Sequence, residues 1–106
     1  MSKFLIEGEK LDNYLENGTI SVVDFSSPYC APCRKVPPVM EELEKEFKNR
    51  VNFLEINVAV DNDIALEYNV FSVPTVIVFK GKEEKERISG VPNRKKLETL
   101  LHKLFS

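Results

Sequence analysis

Short apolar runs alternate with segments of helical periodicity along the whole chain. The apolar runs are residues 4–6, Ile20–Ser26, residues 51–58 and residues 73–79. Runs of this length that are rich in β-branched residues are typical of buried strands. Residues 84–89 can pair back on the last run after a turn at Gly81. This alternation of strands and helices predicts an α/β fold.

Four other segments place apolar residues on one helical face and polar residues elsewhere. These faces consist of Leu11, Tyr14 and Leu15; of Val36, Met40, Leu43 and Phe47; of Ile64, Ala65 and Tyr68; and of Leu97, Leu100, Leu101, Leu104 and Phe105. Pro37 and Pro38 lie in the first turns of the second helix, where proline removes backbone donors, so we expect a kink there. The last helix opens with basic residues that oppose its dipole, so we expect its leucine face to stabilise it.

Length and charge narrow the class of protein. The chain has 106 residues, with 15 basic and 17 acidic side chains and a formal charge of -2. We expect a single domain over residues 1–106, and this charge gives no reason to expect nucleic acid or an anionic membrane as a partner. Residues 1–10 lack the continuous apolar segment of a signal peptide, and no window reaches the roughly 18 apolar residues of a membrane span. We therefore expect a cytoplasmic, monomeric protein.

The two cysteines, Cys30 and Cys33, lie between a predicted strand and a predicted helix. In a reducing compartment, this spacing favours redox or metal chemistry over a structural disulfide. Unpaired N–H groups at the helix start and the positive end of the helix dipole would stabilise a Cys30 thiolate, which is the nucleophile. Cys33 would lie one turn further on, within reach of Cys30. Pro32 suits a first helical turn, and Ala31 is small enough to leave Cys30 accessible.

This arrangement predicts thiol–disulfide exchange in two steps. The Cys30 thiolate attacks a disulfide, and Cys33 then attacks the resulting mixed disulfide. Zinc is the alternative, because half of a zinc site has the same spacing. Tetrahedral zinc needs about four ligands, and His102, the only histidine, is remote in sequence and on the predicted polar side of the last helix. We expect no metal within one chain, while a site shared between two chains, with two cysteines from each, stays open.

Several landmarks resemble the thioredoxin family in order and spacing over nearly the whole chain. They are Val22-Val23-Asp24-Phe25, Cys30-Ala31-Pro32-Cys33, Pro38, Val73-Pro74-Thr75 and Gly90. The resemblance implies a thioredoxin fold, in which a central mixed sheet of about five strands is flanked by about four helices. It also implies a cis Pro74 opposite the cysteines. The redox group would be the Cys30–Cys33 disulfide itself, with no added cofactor.

The same resemblance assigns roles to residues around the cysteines. A carboxylate inside an apolar strand is costly unless it is paired or used. By resemblance Asp24 is the buried acid that exchanges the Cys33 proton, and burial should raise its pKa towards neutrality. A cis bond at Pro74 would turn the backbone of Val73 towards the disulfide, where a substrate chain can pair with it. A mostly apolar docking surface would ring the cysteines, formed by Tyr29, Val58, Phe71, Ser72, Val73, Gly90 and Val91.

Three positions depart from the family pattern. Tyr29 stands where the family usually has tryptophan, Ala31 where it usually has glycine, and Glu55 where it commonly has a lysine that faces the buried acid. Asp24 and Glu55 would then titrate as a coupled pair, with one proton held to higher pH. Replacing Glu55 by lysine should shift the pH profile of disulfide reduction towards lower pH. The alternative is that Glu55 turns to solvent or pairs with a basic side chain.

By resemblance, the leading function is a general cytoplasmic protein-disulfide reductase. It would act on disulfide-containing proteins and receive electrons from a thioredoxin-reductase-type donor. A dedicated electron carrier, oxidase or isomerase is a second candidate, because the direction of exchange depends on a reduction potential that no motif fixes. The third candidate is an interaction module that binds a partner with the apolar surface. A disulfide-reduction assay separates these candidates, since a pure binding module would show no cysteine-dependent turnover.

Overall fold

Four strands form one mixed sheet in the computed structural model, which describes residues 1–106. The strands are β1 (Ile20–Ser26), β2 (Val51–Asn57), β3 (Thr75–Lys80) and β4 (Glu83–Ser89), arranged in the order β2-β1-β3-β4. β1 is parallel to β2 and antiparallel to β3, and β3 and β4 form an antiparallel hairpin. β1 therefore has a strand on each side, and all of its residues are buried.

The predicted α/β class and mixed sheet are confirmed, with four strands in place of about five. The apolar segment at residues 4–6 runs beside β2 but forms only a single bridge, from Leu5 to Glu55. In it, the Ile6 N–H donates to the Glu55 carbonyl at 3.0 Å and the Glu55 N–H donates to the Phe4 carbonyl at 2.8 Å. The chain then turns into a short 3-10 helix at Gly8–Lys10, which ends the pairing before a ladder can form.

Four α-helices accompany the sheet, which agrees with the predicted number. They are α1 (Leu11–Tyr14), α2 (Val36–Phe47), α3 (Asn62–Glu67) and α4 (Arg94–Leu104). Successive residues of a strand point to opposite faces. Val22 accordingly joins the buried cluster formed with α2 and α4, whereas Val23 and Phe25 join the cluster formed with α1 and α3. Asp24, two residues after Val22, therefore points to the side of α2 and α4.

Proline shapes the start of α2. The helical segment opens with a 3-10 turn at Pro32–Lys35 and becomes α-helical at Val36. Pro37 has no N–H to donate to the Cys33 carbonyl four residues earlier, and the Val36 N–H donates to that carbonyl instead, as in a 3-10 helix. The expected kink thus takes the form of a change in helix type directly before Pro37 and Pro38.

Helix α4 has an N-terminal cap in addition to its leucine face. The Asn93 side chain accepts a hydrogen bond from the Lys96 N–H at 3.0 Å, which satisfies one of the free donors of the first turn. Glu98 pairs with Lys95 at 3.2 Å and offsets part of the basic charge there. The cap and the ion pair together compensate the unfavourable first turn. None of the helices combines the length and the apolar composition that a membrane-spanning segment needs.

Candidate active site

Cys30 and Cys33 form a disulfide at the start of the helical segment that leads into α2. Their Cα atoms lie 5.3 Å apart. Cys30 is half-buried, whereas Cys33 is only 2% exposed. Cys30 is therefore the cysteine that an incoming disulfide can reach, and Cys33 lies behind it as an intramolecular partner.

Backbone groups surround the Cys30 sulfur. The Cys33 N–H points at Cys30 Sγ with an N···S distance of 3.2 Å, and the Val73 carbonyl oxygen lies 3.7 Å from the same sulfur. In the reduced protein this N–H can donate to a Cys30 thiolate at the start of the 3-10 turn. N–H groups in the first turn of a helix have no partner within the helix, so they stabilise negative charge. The site thus favours the nucleophilic form of Cys30.

The Val73–Pro74 peptide bond is cis. Pro74 is buried and directly follows Val73, whose carbonyl oxygen lies near Cys30 Sγ. The Gly90 N–H donates to the Pro74 carbonyl at 2.8 Å and so ties the start of β3 to the end of β4. Gly90 has a φ of 92°, which favours glycine, and nothing lies within 4 Å of where its Cβ would be. The backbone conformation and the open space both distinguish this glycine from an ordinary strand residue.

The seven predicted docking residues fall into two groups. Four of them line one cleft of about 340 Å³: Val58, Phe71, Ser72 and Val73. Ala65, Leu66 and Val70 complete its apolar wall. The other three lie outside it: Tyr29, Gly90 and Val91. Tyr29 and Phe71 are 89% and 79% exposed. Tyr29 directly precedes Cys30 in the chain, and Phe71 lines the apolar cleft.

Asp24 is fully buried, and neither of its carboxylate oxygens has a hydrogen-bond partner. Desolvation is the main cause that raises the pKa of Asp24 from its ordinary value of 3.8 to about 8, and the negative charge of Glu55 raises it further. A buried carboxyl group without partners is costly for the fold. Because no hydrogen bond or ion pair of Asp24 offsets this cost, Asp24 is a candidate functional acid. Near neutral pH it can both accept and release a proton.

Glu55 is the neighbour of Asp24 across the parallel β1–β2 pair. Glu55 is 2% exposed, and its Oε1 accepts hydrogen bonds from the Ser2 N–H at 2.9 Å and from the Ser2 hydroxyl at 2.8 Å. The alternative in which Glu55 turns to solvent or pairs with a basic side chain is therefore wrong. Ser2 was absent from the predicted site, because it lies 53 positions from Glu55 and no sequence pattern relates the two.

A second cleft, of about 440 Å³, extends from Cys33 to Glu55. The N-terminal residues Met1 and Ser2 form one wall, and Arg34 and Glu41 from the helical segment bring opposite charges to another. Serine, proline and charged residues make up most of its lining, whereas apolar residues make up most of the lining of the cleft next to Val73. It gives solvent access to the buried side of the disulfide.

One cluster elsewhere contains potential metal ligands. Glu46, Glu98 and His102 bring ligand atoms within 4.8 Å of one another between α2 and α4. Each group is already engaged, since Glu46 pairs with His102 at 2.5 Å and Glu98 pairs with Lys95 at 3.2 Å. Glu46 lies near the end of α2 that is opposite the cysteines. We assign no metal to this cluster.

Comparison with known proteins finds relatives that are all described as thioredoxins. The family model described as thioredoxin matches residues 3–103. A thioredoxin from Pyropia yezoensis is 34% identical over 92 residues, which make up 87% of this chain and 86% of that protein. The chloroplastic thioredoxin M4 of Arabidopsis thaliana is 36% identical over 101 residues, which make up 95% of this chain and 52% of that protein. The chain thus spans about half the length of the chloroplast relatives that it matches.

Solved structures give the same result. A mutant thioredoxin from Halobacterium salinarum NRC-1 superposes with a TM-score of 0.86 at 25% identity, covering 97% of this chain and 90% of that one. The thioredoxin of Fasciola hepatica superposes with a TM-score of 0.75 at 36% identity, covering 90% of this chain and 88% of that one. Fold and sequence therefore point to the same set of relatives.

Proposed function

This chain belongs to the thioredoxin family, and we propose that it is a protein-disulfide reductase that uses the Cys30–Cys33 pair. One observation carries the proposal: a half-buried Cys30, whose sulfur is contacted by a backbone N–H donor, is bonded to a buried Cys33 at the start of the helical segment that packs on the Asp24 face of the sheet. A purely structural disulfide would need neither the accessible sulfur nor the buried, unpartnered acid.

The reaction begins from the dithiol form. The Cys30 thiolate attacks one sulfur of a substrate disulfide, so that a mixed disulfide forms and the other substrate sulfur leaves as a thiolate. Cys33 then loses its proton and attacks the Cys30 sulfur. This step forms the Cys30–Cys33 disulfide and releases the second substrate sulfur. Two electrons pass from the cysteine pair to the substrate, and a reductase donor must return them before the next cycle.

Asp24 is the proposed proton acceptor for Cys33. Its carboxyl group points to the face of the sheet on which the helical segment carrying Cys33 lies, and its pKa of about 8 leaves a fraction of it ionised at neutral pH. The ionised fraction can take the Cys33 proton during resolution and return it when the pair is reduced again. A water molecule in the cleft that Cys33 and Glu55 line can carry the proton between Cys33 and Asp24.

Protein substrates are proposed to bind at Val73 and in the apolar cleft. The Val73 carbonyl lies beside the Cys30 sulfur, so an extended substrate chain that pairs with this backbone would present its disulfide to Cys30. The cleft lined by Val58, Phe71 and Ser72 adjoins the same residue and can take an apolar side chain of the substrate. Tyr29 and Ala31, which differ from the usual family residues, are the chain neighbours of Cys30, and we propose that they affect the choice of partner.

The expected partners are disulfide-containing proteins and a thioredoxin-reductase-type electron donor, with the chain acting as a monomer. A cytoplasmic location stays a prediction, because several relatives are named as chloroplastic proteins. The cysteine site itself is independent of the compartment.

Reduction of insulin disulfides by dithiothreitol tests the proposed activity. Wild-type protein should accelerate precipitation of the insulin B chain, and Cys30→Ser should abolish the acceleration. Reduced Cys33→Ser, freed of dithiothreitol before insulin is added, should instead accumulate a mixed disulfide through Cys30, because neither the resolving thiol nor an external thiol is present to release it. This adduct is visible by non-reducing electrophoresis and by intact mass.

The same experiment separates the alternative functions. An interaction module would give no acceleration in the wild type and no adduct with Cys33→Ser. A dedicated carrier with a narrow partner range would form adducts with few proteins and reduce insulin slowly. Turnover that survives in Cys30→Ser would contradict the assignment of the nucleophile.

A further inference from the structure

We propose that Ser2 is a positioning residue of the cysteine site: its N–H and hydroxyl fix the Glu55 carboxylate beside Asp24 and so determine the pH at which the site exchanges the Cys33 proton. The inference rests on the proposed function, because it assumes that Asp24 serves Cys33. It adds a residue from the N-terminal segment, which no landmark of the family includes.

Two kinds of contact from this segment hold Glu55. The Phe4 carbonyl and the Ile6 N–H bond the Glu55 backbone on both sides, so the segment is fixed in register with β2 at this residue. The Ser2 N–H and hydroxyl then donate to the same carboxylate oxygen, Glu55 Oε1. The Ser2 hydroxyl oxygen also accepts from the Phe4 N–H at 3.2 Å, which orients it. The hydroxyl is thereby held as a donor to Glu55.

The bonds from Ser2 hold the Glu55 carboxylate in place. Both donors reach the same oxygen, and hydrogen bonds to a carboxylate are short and strong. Glu55 is 2% exposed, so few other positions are open to its side chain. Its carboxylate is therefore fixed next to Asp24, which has no hydrogen bond of its own.

The other charged groups near this pair are few. The cleft that Glu55 lines is also lined by Met1 and by Arg34 and Glu41 of the helical segment. Cys33 provides the only thiol in this lining. The strand on the other side of β1 places Val76 opposite Asp24, so it contributes no charge there. Glu55 is the one charge that raises the pKa of Asp24. The position of the Glu55 carboxylate therefore controls the electrostatic environment of Asp24.

The test is Ser2→Ala in the full chain, with the Asp24 carboxyl carbon followed by NMR through a pH titration. Without the hydroxyl, one of the two bonds that hold the Glu55 carboxylate is lost, so its negative charge is no longer fixed beside Asp24. The Asp24 titration midpoint should fall by about half a pH unit, as expected for loss of one hydrogen bond to a charged neighbour. The pH profile of mixed-disulfide resolution should move in the same direction.

Three variants make the test specific. Ser2→Thr keeps both donors and should restore the wild-type midpoint. Lys3→Gln removes the neighbouring ion pair with Glu44 at 2.6 Å but leaves the Ser2 contacts, so it should not move the midpoint. In a Glu55→Gln background, Ser2→Ala should cause no further shift.

An unchanged Asp24 midpoint in Ser2→Ala, or an equal shift in Lys3→Gln, would overturn the inference. The NMR titration requires no turnover, so failure of the inference is distinct from failure of the proposed reductase activity. Failure of the reductase activity would instead appear as insulin reduction that does not depend on Cys30, while Ser2→Ala still lowers the Asp24 titration midpoint.

Discussion

Glu55 is the residue at which the site departs most from the family pattern in charge. A lysine at this position would attract the ionised form of Asp24, whereas Glu55 repels it and holds the Asp24 proton to higher pH. Burial and the two bonds from Ser2 keep Glu55 in place as an acceptor. The direction of the effect on Asp24 therefore depends on the charge of this single side chain.

Glu55→Gln tests that dependence with the least change in shape. The amide keeps an oxygen that can accept from Ser2 but removes the negative charge, so the pKa of Asp24 should fall below about 8 while desolvation keeps it above its ordinary value of 3.8. We expect a decrease of roughly one pH unit, measured by NMR titration of the Asp24 carboxyl carbon. Glu55→Lys should shift it in the same direction, at the additional cost of a buried ammonium group. Equal midpoints in wild type and Glu55→Gln would exclude the coupling.

At the scale of elements, β4 supports the loop that precedes Pro74. Arg87 of β4 donates to the Tyr68 carbonyl at 2.7 Å and to the Asn69 carbonyl at 2.9 Å, directly after α3. Its guanidinium is held from the other side by Glu84 through two hydrogen bonds, at 2.8 and 2.9 Å. The carbonyls at a helix C-terminus lack partners within the helix, and a cation there is favourable. Arg87 thus fixes the point from which the chain enters the apolar cleft lined by Phe71, Ser72 and Val73.

Arg87→Lys should loosen this loop, because an ammonium group cannot reproduce the planar fork that reaches both carbonyls. We expect a loss of about 1 kcal/mol in the free energy of unfolding, measured by urea denaturation. KM for insulin should rise a few-fold, while reduction of a small disulfide such as that of Ellman's reagent stays near the wild-type rate. Glu84→Gln is the matched control, since it weakens the ion pair and leaves both carbonyl contacts. A larger effect in Glu84→Gln than in Arg87→Lys would assign the stabilisation to the ion pair instead.

At the scale of the whole molecule, periodicity was enough to predict the α/β class, whereas the mixed sheet flanked by helices was predicted from the family resemblance. The spacing of apolar residues marks β1, β2, β3 and the helices locally. β4 is mostly exposed, and it was predicted from its place after the turn at Gly81. Residues 4–6 were predicted as a fifth strand because an apolar run does not reveal how far a ladder extends. The 3-10 helix that begins at Gly8 ended the pairing.

The site could be predicted only where its residues are marked locally. Asp24 interrupts an apolar strand and the cysteines lie at a strand-to-helix junction, so both could be found in the sequence. Ser2 and Arg87 could not, because each acts on a carbonyl or carboxylate brought near by the fold, at separations of 53 and 19 positions. A serine near a chain start and an arginine on a charged strand have no distinctive pattern.

Asp24 also makes the stability of the whole molecule depend on pH. Its pKa is about 8 in the folded chain and near 3.8 when unfolded, so between these values the folded state binds a proton that the unfolded state has released. Stability should then be greatest below about pH 4 as far as this group is concerned. It should decrease by about 1.4 kcal/mol for each pH unit up to about pH 8, where the ionised carboxylate must be buried.

Asp24→Asn removes this dependence, because the amide does not ionise. Urea denaturation of the oxidised wild type and variant at pH 5 and pH 8 should show that the variant gains several kcal/mol relative to the wild type between the two conditions. Taking the difference between the two proteins cancels the titration of the other groups, and any fixed cost of the amide drops out as well. A difference that stays constant with pH would mean that Asp24 is already ionised in the folded protein. The same result would contradict the proposal that Asp24 is mostly protonated at neutral pH and exchanges a proton with Cys33. The measurement of stability thus also tests the proposed chemistry of Cys33.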